Sequence, residues 1–511
     1  MSEKNIELVR RSYEFYNSGD WDSLLDTFSP DVEVWPAPGF PEGGPFRGRE
    51  EVRRFYEGLG EGWKPGAMVV PQELLGVGDK VLVAFEWRGV GELSGIEVTS
   101  AWSSVVTVRD GQIARADYFA DRDAAITAAG LNKAAGREPG RGGPTYSSAG
   151  VDYGALDAGK RNALTEALAT SHLLSSRGGS AVEESRGEPA FVFQFGGQTF
   201  AFVIEGLGTK SIIAGQVLED LGENRFADVA YDTVAAIVND LCCVGALPLV
   251  VNAYFATGTS DWYAHSDRQS ELLSGWRAAC EDAGATWGGG ESPSLPELVS
   301  VPEIELAGSA VGVVPDGKQA ILGSELASGD QIVFVASSGL HANGSSLARL
   351  IAGRLPDGYG ARLPGGRTFG QALLDRSVIY ARLVEALITS DVPVHYLSHI
   401  TGHGLLKLMR PARDLTYRIT SLPEVPEVLE FLVEQAEMSP SAAYCTFNMG
   451  CGYAVYCPPG AGQEVVDIAG RLKLGAHVAG VVEDGPRRVI LEPNGVTYDA
   501  DALDLTPRRT P

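Results

Sequence analysis

A chain of 511 residues is too long to fold around one core, and its size suggests two to four domains. Hydrophobic residues make up 44% and charged residues 21%, an ordinary globular balance, and no apolar run nears the roughly 18 residues that would span a bilayer. A net charge of −25 argues against nucleic acid or an anionic membrane as the general partner, so any bound phosphate must rely on local Lys, Arg and backbone N–H groups. Met1-Ser2-Glu3-Lys4-Asn5 does not open a secretory leader, and Cys242, Cys243, Cys280, Cys445, Cys451 and Cys457 form no Cys-x-x-Cys pair. A cytoplasmic protein with reduced thiols is expected.

In chain order, Ile6, Val9, Tyr13 and Tyr16 recur at helical steps until Asn17-Ser18-Gly19-Asp20 stops them. Trp21 to Phe28 reads as a second helix, Val32 to Trp35 as a short strand, and Glu50 to Leu59 as a third helix. Four strand-like segments follow near Met68–Leu75, Lys80–Arg88, Val98–Val108 and Gln112–Phe119, with hairpin turns at Gly78-Asp79 and Asp110-Gly111. Helices first and a curved antiparallel sheet afterwards make an α+β cone. That order, and the ending Asp121-Arg122-Asp123-Ala124-Ala125-Ile126, resembles the SnoaL-like, ketosteroid-isomerase-like superfamily over residues 1–131. Trp35, Tyr56, Trp87, Trp102, Tyr118 and Asp121 are the candidates for its lining. The aromatics serve equally to fill the cone or pack a dimer face, and Asp121 to cap the last helix. No acid/base trio of the ketosteroid kind can be picked out, so the unit is given no catalytic role.

Residues 133–148 are broken by Gly and Pro and form the clearest linker, which separates a small unit, 1–132, from a large one. The large unit alternates strands and helices, so the whole chain is multidomain α+β and α/β. Ala190–Phe195 and Thr199–Ile204 are strands joined at Gly196-Gly197-Gln198, and a helix begins near Ser211. Phe226–Val244 is a long helix ending at Gly245, Leu247–Ala256 a strand, and Asp261–Ala283 a helix. Glu305–Val314 and Asp330–Ala336 read as buried strands, Thr368–Thr389 as one helix, and Ala454–Cys457 and Val478–Val482 as strands.

Polar residues set among these apolar elements carry the chemistry. In Glu205-Gly206-Leu207-Gly208-Thr209-Lys210 two glycines let the backbone approach an anion, while Thr209 and Lys210 add a hydroxyl and a charge. Asp232 and Asn239 lie two turns apart on one helical face, with Asp240 beside them. Buried carboxylates need a partner or a cation, and with Glu205 these acids suit magnesium shared with phosphates; the alternative is that Asn239 and Asp240 brace loops. Gly288-Gly289-Gly290-Glu291-Ser292 reads as a second glycine-rich turn with one acid. Ser337 to Gly344 leads from a strand into a helix and makes a plausible phosphate seat, in which His341 is either a proton donor or a brace. His395, His399 and His403 have helical spacing, but Thr401-Gly402-His403-Gly404 breaks a helix, which argues against zinc.

Seven segments in order are similar to the phosphoribosylformylglycinamidine cyclo-ligase, or AIR synthetase, family across roughly 145–492. They are Tyr146 to Asp152, the loop 205–210, Val238-Asn239-Asp240-Leu241, Gly289-Gly290-Glu291, Ser338 to Gly344, His399-Ile400-Thr401-Gly402 and Thr446 to Gly450. The resemblance implies an N-terminal ATP-binding part, 149–316, a C-terminal part, 317–511, and a homodimer joined through the N-terminal sheets. It implies that ATP and Mg2+ activate a formyl-amide oxygen of a phosphorylated small-molecule substrate for ring closure. It marks Lys210 and His341 as candidate catalytic residues, and His403 in the neighbouring loop is added to them. Gly206, Gly208, Thr209, Lys210, Asn239, Ser338, Gly339 and Asn343 would hold ATP or phosphate, and Glu205, Asp232, Asp240 and Glu291 the metal. Glu205 stands where most members have Asp, His403 where most have Gly, and Ser294-Leu295-Pro296 replaces an acidic stretch. These departures leave open a related ligase or kinase with another substrate, or a ligand-binding or isomerase role in the cone.

Overall fold

The computed structural model describes residues 2–37, 44–59, 64, 66, 68–90, 97–119, 125 and 163–503; Asp121, the linker 133–148 and the segment 146–152 lie outside them. Contacts divide the chain into two units, 1–141 and 142–511. No helix among the described residues is long and apolar enough to cross a membrane.

In the first unit six strands form one sheet, in the order Phe46–Arg47, Phe28–Trp35, Gln112–Phe119, Glu97–Arg109, Lys80–Val90 and Met68–Val77. All neighbours are antiparallel except Phe28–Trp35 with Gln112–Phe119. Helices Ser2–Ser18, Trp21–Asp26 and Gly48–Leu59 pack against it through Val9, Leu24, Val52 and Phe55, giving the expected α+β cone. The second helix is shorter than its pattern suggests, because Phe28 already belongs to the first strand and is buried there.

The second unit carries two sheets. The first runs Thr286–Glu291, Leu247–Thr257, Ile304–Val314, Gln198–Gly206, Phe191–Phe195, Gly179–Ala181. The second runs Tyr396–His399, Cys451–Cys457, Gln331–Ala336, Ala476–Asp484, Leu415–Ile419, Arg488–Leu491, Val496–Asp499. One apolar core is continuous through both halves of the unit. Gly288 to Glu291 is strand rather than turn, and its glycines answer to space. A Cβ at Gly290 would stand 2.1 Å from the Ala253 carbonyl oxygen of the neighbouring strand.

The central strand Ile304–Val314 alternates strictly, with its even-numbered residues buried under helix Phe226–Cys242. Gly308 and Gly312 lie on that side, and a Cβ there would meet Ile237 at 2.8 Å and Leu241 at 2.7 Å. The helix therefore sits close on the sheet, and its opposite side carries Asp232, Asn239 and Asp240 into the second half of the unit. The stretch 368–389 splits into helices Phe369–Leu373 and Ala381–Thr389. The N–H groups of Ser377 and Tyr380 between them are taken by Asp232 and Asn239, so tertiary hydrogen bonds replace helical ones. Asp261–Ala283 likewise divides into the 3-10 turn Ser260–Ala264 and helix Ser266–Ala283.

Gly275 brings Ser266–Ala283 against Phe226–Cys242, where an added Cβ would lie 2.0 Å from the Ala227 carbonyl oxygen. Gly275→Ala should lower stability by about 1–3 kcal/mol through overpacking, read as a lower urea midpoint. Gly470→Ala, with nothing within 4 Å of its Cβ, should hold or raise the midpoint. Equal midpoints for the two variants would refute the close crossing.

Candidate functional site

Lys210 opens helix Lys210–Leu221 directly after the loop of residues 205–209, and its side chain is fully buried. Its Nζ lies 2.5 Å from Asp232 Oδ2 and donates to the His341 carbonyl oxygen at 2.8 Å. One ammonium thus ties the glycine loop, the long helix and the 337–344 loop together. Asp232 Oδ1 accepts from the Ser377 N–H at 2.6 Å. Burial raises the Asp232 carboxyl above its usual range against the pull of Lys210 and Ser377.

Asn239 meets the same extended segment. Its Nδ2 donates to the Val378 carbonyl and its Oδ1 accepts from the Tyr380 N–H, both at 2.8 Å. These bonds place Asn239 as a brace for residues 378–380. Asp240 turns elsewhere and holds His399 Nδ1 at 2.6 Å in a buried pair. Burial disfavours the Asp240 carboxylate, but His399, Lys407 and Arg410 outweigh it and keep the group well below the usual carboxylate range.

His341 is buried with φ +58°, a left-handed conformation costly for a side chain with a Cβ. Its Nε2 accepts from the Ser338 N–H at 3.2 Å, which places the ring proton on Nδ1, and buried Nδ1 has no partner among the described residues. Burial, with His399 and Lys210 nearby, lowers its pKa well below the ordinary histidine value, so the ring is neutral. A cavity of about 10 Å3 lies here, lined by Asp232, Asn239, His341, Asn343, Thr401 and Asn448 among others. It has room for about one water. Asn448 closes the floor: Oδ1 accepts from Ser337 Oγ at 2.8 Å, and Nδ2 donates to the Gly339 carbonyl at 2.8 Å. Ser338 Oγ donates to the Arg376 carbonyl at 2.6 Å, and Thr209 Oγ1 lies 3.0 Å from Ser346 Oγ.

The remaining candidates are more scattered. Gly206 ends its strand, where an added Cβ would stand 3.4 Å from Glu305 Oε1, whereas Gly208 adopts φ +70° with nothing within 4 Å of its Cβ position. Glu205 is half-buried beside them. Glu291 is exposed at the end of Thr286–Glu291. Among the described residues no group of three His, Cys, Asp or Glu side chains has the arrangement to hold a metal. His395 pairs with Asp330 at 2.8 Å, His399 lies on a strand, and His403 occupies a turn with φ +70°.

One residue escaped sequence reading. Lys407, buried in the 3-10 segment Gly404–Met409, donates to Thr401 Oγ1 and feels both Asp240 and Glu205. Burial and Arg410 push it down to about 8. Its signal was a lone cation within Leu405-Leu406-Lys407-Leu408-Met409.

Residues 187–314 fit the model for the AIR synthase related protein N-terminal domain, and 327–492 its C-terminal domain. Residues 9–116 fit the SnoaL-like domain. The phosphoribosylformylglycinamidine cyclo-ligase of Methanothermobacter thermautotrophicus is 33% identical over 350 residues, covering 68% of this chain and 97% of that protein. The protein of that name from Rippkaea orientalis is 32% identical over 295 residues, covering 57% of this chain and 83% of its own. Among solved structures, thiamine monophosphate kinase from Aquifex aeolicus superposes with a TM-score of 0.39 at 16% identity, covering 58% of this chain and 90% of that one. Through its large unit the chain therefore belongs to the phosphoribosylformylglycinamidine cyclo-ligase, or AIR synthetase, family, and it carries a SnoaL-like domain ahead of that unit.

Proposed function

We propose that the large unit closes formylglycinamidine ribonucleotide to aminoimidazole ribonucleotide with ATP, a purine-biosynthetic step, in the cytoplasm. The family is one of ATP-dependent enzymes, and this chain is an enzyme of that cyclo-ligase type. The observation that carries the reading is the buried Lys210 tie, which gathers two of the family's loops and its long helix around one small cavity lined by His341, whose Nδ1 has no partner among the described residues. We assign the ATP-binding part to 149–316 and the C-terminal part to 317–511.

The residues fit a nucleotide in that Gly208 leaves the loop backbone open just before a 12-residue helix, a setting that favours phosphate. They fit magnesium with fewer acids than the sequence suggests. Asp232 is held by Lys210, whereas Glu205 and Asp240 share Lys407 as a neighbour, and magnesium commonly takes one or two carboxylates with phosphate oxygens completing its shell. When bound, ATP supplies the phosphoryl group that makes the amide oxygen a leaving group, and magnesium offsets phosphate charge.

Around that chemistry the chain positions and donates. Lys210 fixes the loop that receives phosphate. His341 offers Nδ1–H to a substrate oxygen, its tautomer set by the Ser338 N–H. Asp240 orients His399, and Asn448 and Asn239 hold the surrounding backbone. Glu205 and His403, which depart from most members, favour one second reading, the same chemistry on another phosphorylated amide. Full-length protein given formylglycinamidine ribonucleotide, ATP and magnesium should release phosphate and form the imidazole one for one. ATP hydrolysis or binding without product would pass the assignment to the second reading.

Lys210 alone is a poor target, because stripping one partner from a buried ion pair costs roughly 3–5 kcal/mol. Lys210→Met combined with Asp232→Asn should fold and lose turnover by about 100-fold or more; wild-type turnover in a folded double variant would remove Lys210 from the site. His403 pays roughly 1–2 kcal/mol for its left-handed backbone. His403→Gly should raise the melting temperature, and a kcat unchanged alongside it would end the case for His403 as a catalytic residue.

The first sheet of the large unit turns Phe202, Ile204 and Leu249 outward, at 42%, 71% and 42% exposure. We assign this face to the homodimer contact, since exposed apolar area of this kind marks an interface. Light scattering should give twice the chain mass, and Ile204→Lys should give a folded monomer; a monomeric wild type would overturn the assignment.

A further inference from the structure

Ser377 lines the small cavity of the large unit beside His341, Asp232 and Thr401, and it lies in the segment that joins helices Phe369–Leu373 and Ala381–Thr389. Its residue exposure is 6% and that of His341 3%. Ser377 Oγ and His341 Nδ1 are both buried without a hydrogen-bond partner among the described residues, although Ser377 Oγ lies near enough to Asp232 to ease that carboxylate's charge. We propose that the cavity is a seat for one oxygen atom, held between His341 Nδ1–H and the Ser377 hydroxyl. Water fills the seat at rest, and a substrate oxygen displaces that water during turnover. The resting seat is independent of the cyclo-ligase reading; the displacement rests on it.

Size limits the occupant to a single heavy atom. A space of about 10 Å3 is close to what one water needs, and it is too small for a phosphate group or a ring. Buried water persists where two to four polar groups receive it, whereas an apolar void stays dry. The imidazole N–H and the hydroxyl meet that requirement here. Left with nothing between them, both would carry the cost of buried groups that have lost water and gained no partner.

Backbone groups fix the His341 side of the seat. Nε2 faces the N–H of Ser338 at 3.2 Å and that of Val378 at 3.5 Å, so it can only accept, and the ring hydrogen stays on Nδ1. Burial keeps the ring neutral. The Ser377 side is fixed by its own N–H, which donates to Asp232 Oδ1 at 2.6 Å, and Asp232 is tied in turn to Lys210. A hydroxyl both donates and accepts, and its hydrogen rotates. Ser377 therefore accepts a hydrogen from water, or turns to donate to an oxygen that carries none. The second state sets two donors on one substrate oxygen, a preorganised arrangement that bulk water does not weaken.

Crystals of the full-length protein should show one ordered water within hydrogen-bond reach of His341 Nδ1 and Ser377 Oγ. Crystals grown with formylglycinamidine ribonucleotide should show a substrate oxygen in its place. Ser377→Ala should lower kcat about 10-fold, as for loss of one hydrogen bond, while KM for ATP stays unchanged. Ser377→Thr keeps the hydroxyl and should recover most of that loss. An empty cavity in the wild-type crystal would overturn the seat itself. Turnover by Ser377→Ala at the wild-type rate, or a water that stays in place beside bound substrate, would overturn the displacement. A wild type that holds the water yet forms no imidazole would sink the cyclo-ligase reading and leave the seat upheld.

Discussion

The large unit depends on a charge that has been taken out of water. Lys210 and Asp232 are fully buried and 2.5 Å apart, and the ammonium also bonds the His341 carbonyl. Desolvating two ions is costly and their attraction repays it only when the leftover hydrogen-bonding capacity is filled. Here Ser377 fills the carboxylate and His341 the ammonium. These two partners come from segments far from the pair in sequence, so the pair is satisfied only when the two halves of the unit have closed on each other. Its net contribution to stability is small beside the apolar core; its effect is to permit one arrangement of the loops.

Around this pair, side chains stand in for backbone. Residues 375–380 lack regular structure between two helices and cannot complete their own ladder, so Asn239 supplies both an acceptor and a donor. Asn448 does the same for 337–340. Buried amides of this kind are costly if half satisfied and specifying when satisfied. They also explain how a loop can hold His341 in a left-handed conformation: the ring receives the Ser338 N–H, and the carbonyl receives Lys210. The strain at one residue is balanced by bonds from two others.

The cone's last four strands were legible, because they alternate and their turns carry Gly78-Asp79 and Asp110-Gly111, whereas the start of Phe28–Trp35 and the short strand Phe46–Arg47 were not. The apolar strands of the large unit were legible for the same reason. The stretch 368–389 was not, since its helical pattern is real and only the tertiary capture of Ser377 and Tyr380 breaks it. Nor was the role of the glycines at 288–290, which reads as a turn until the crowding against Ala253 is known. The acids in the long helix were correctly singled out as needing partners. Sequence spacing could not say that Asp232 takes an ammonium and Asp240 an imidazole, because Lys210 and His399 arrive from distant elements.

The departures from the family pattern cluster physically as well as in sequence. Glu205 reaches one methylene further than Asp, and Lys407 lies where it feels both Glu205 and Asp240. Lys407 is held near 8 by burial and by Arg410, so close to neutral pH it carries most of a charge yet can release it at modest cost. A cation built into the chain near two carboxylates offsets part of their charge. Thr401, which opens the turn containing His403, accepts from the same ammonium. Lys407 therefore links Glu205 to the turn that carries the strained His403.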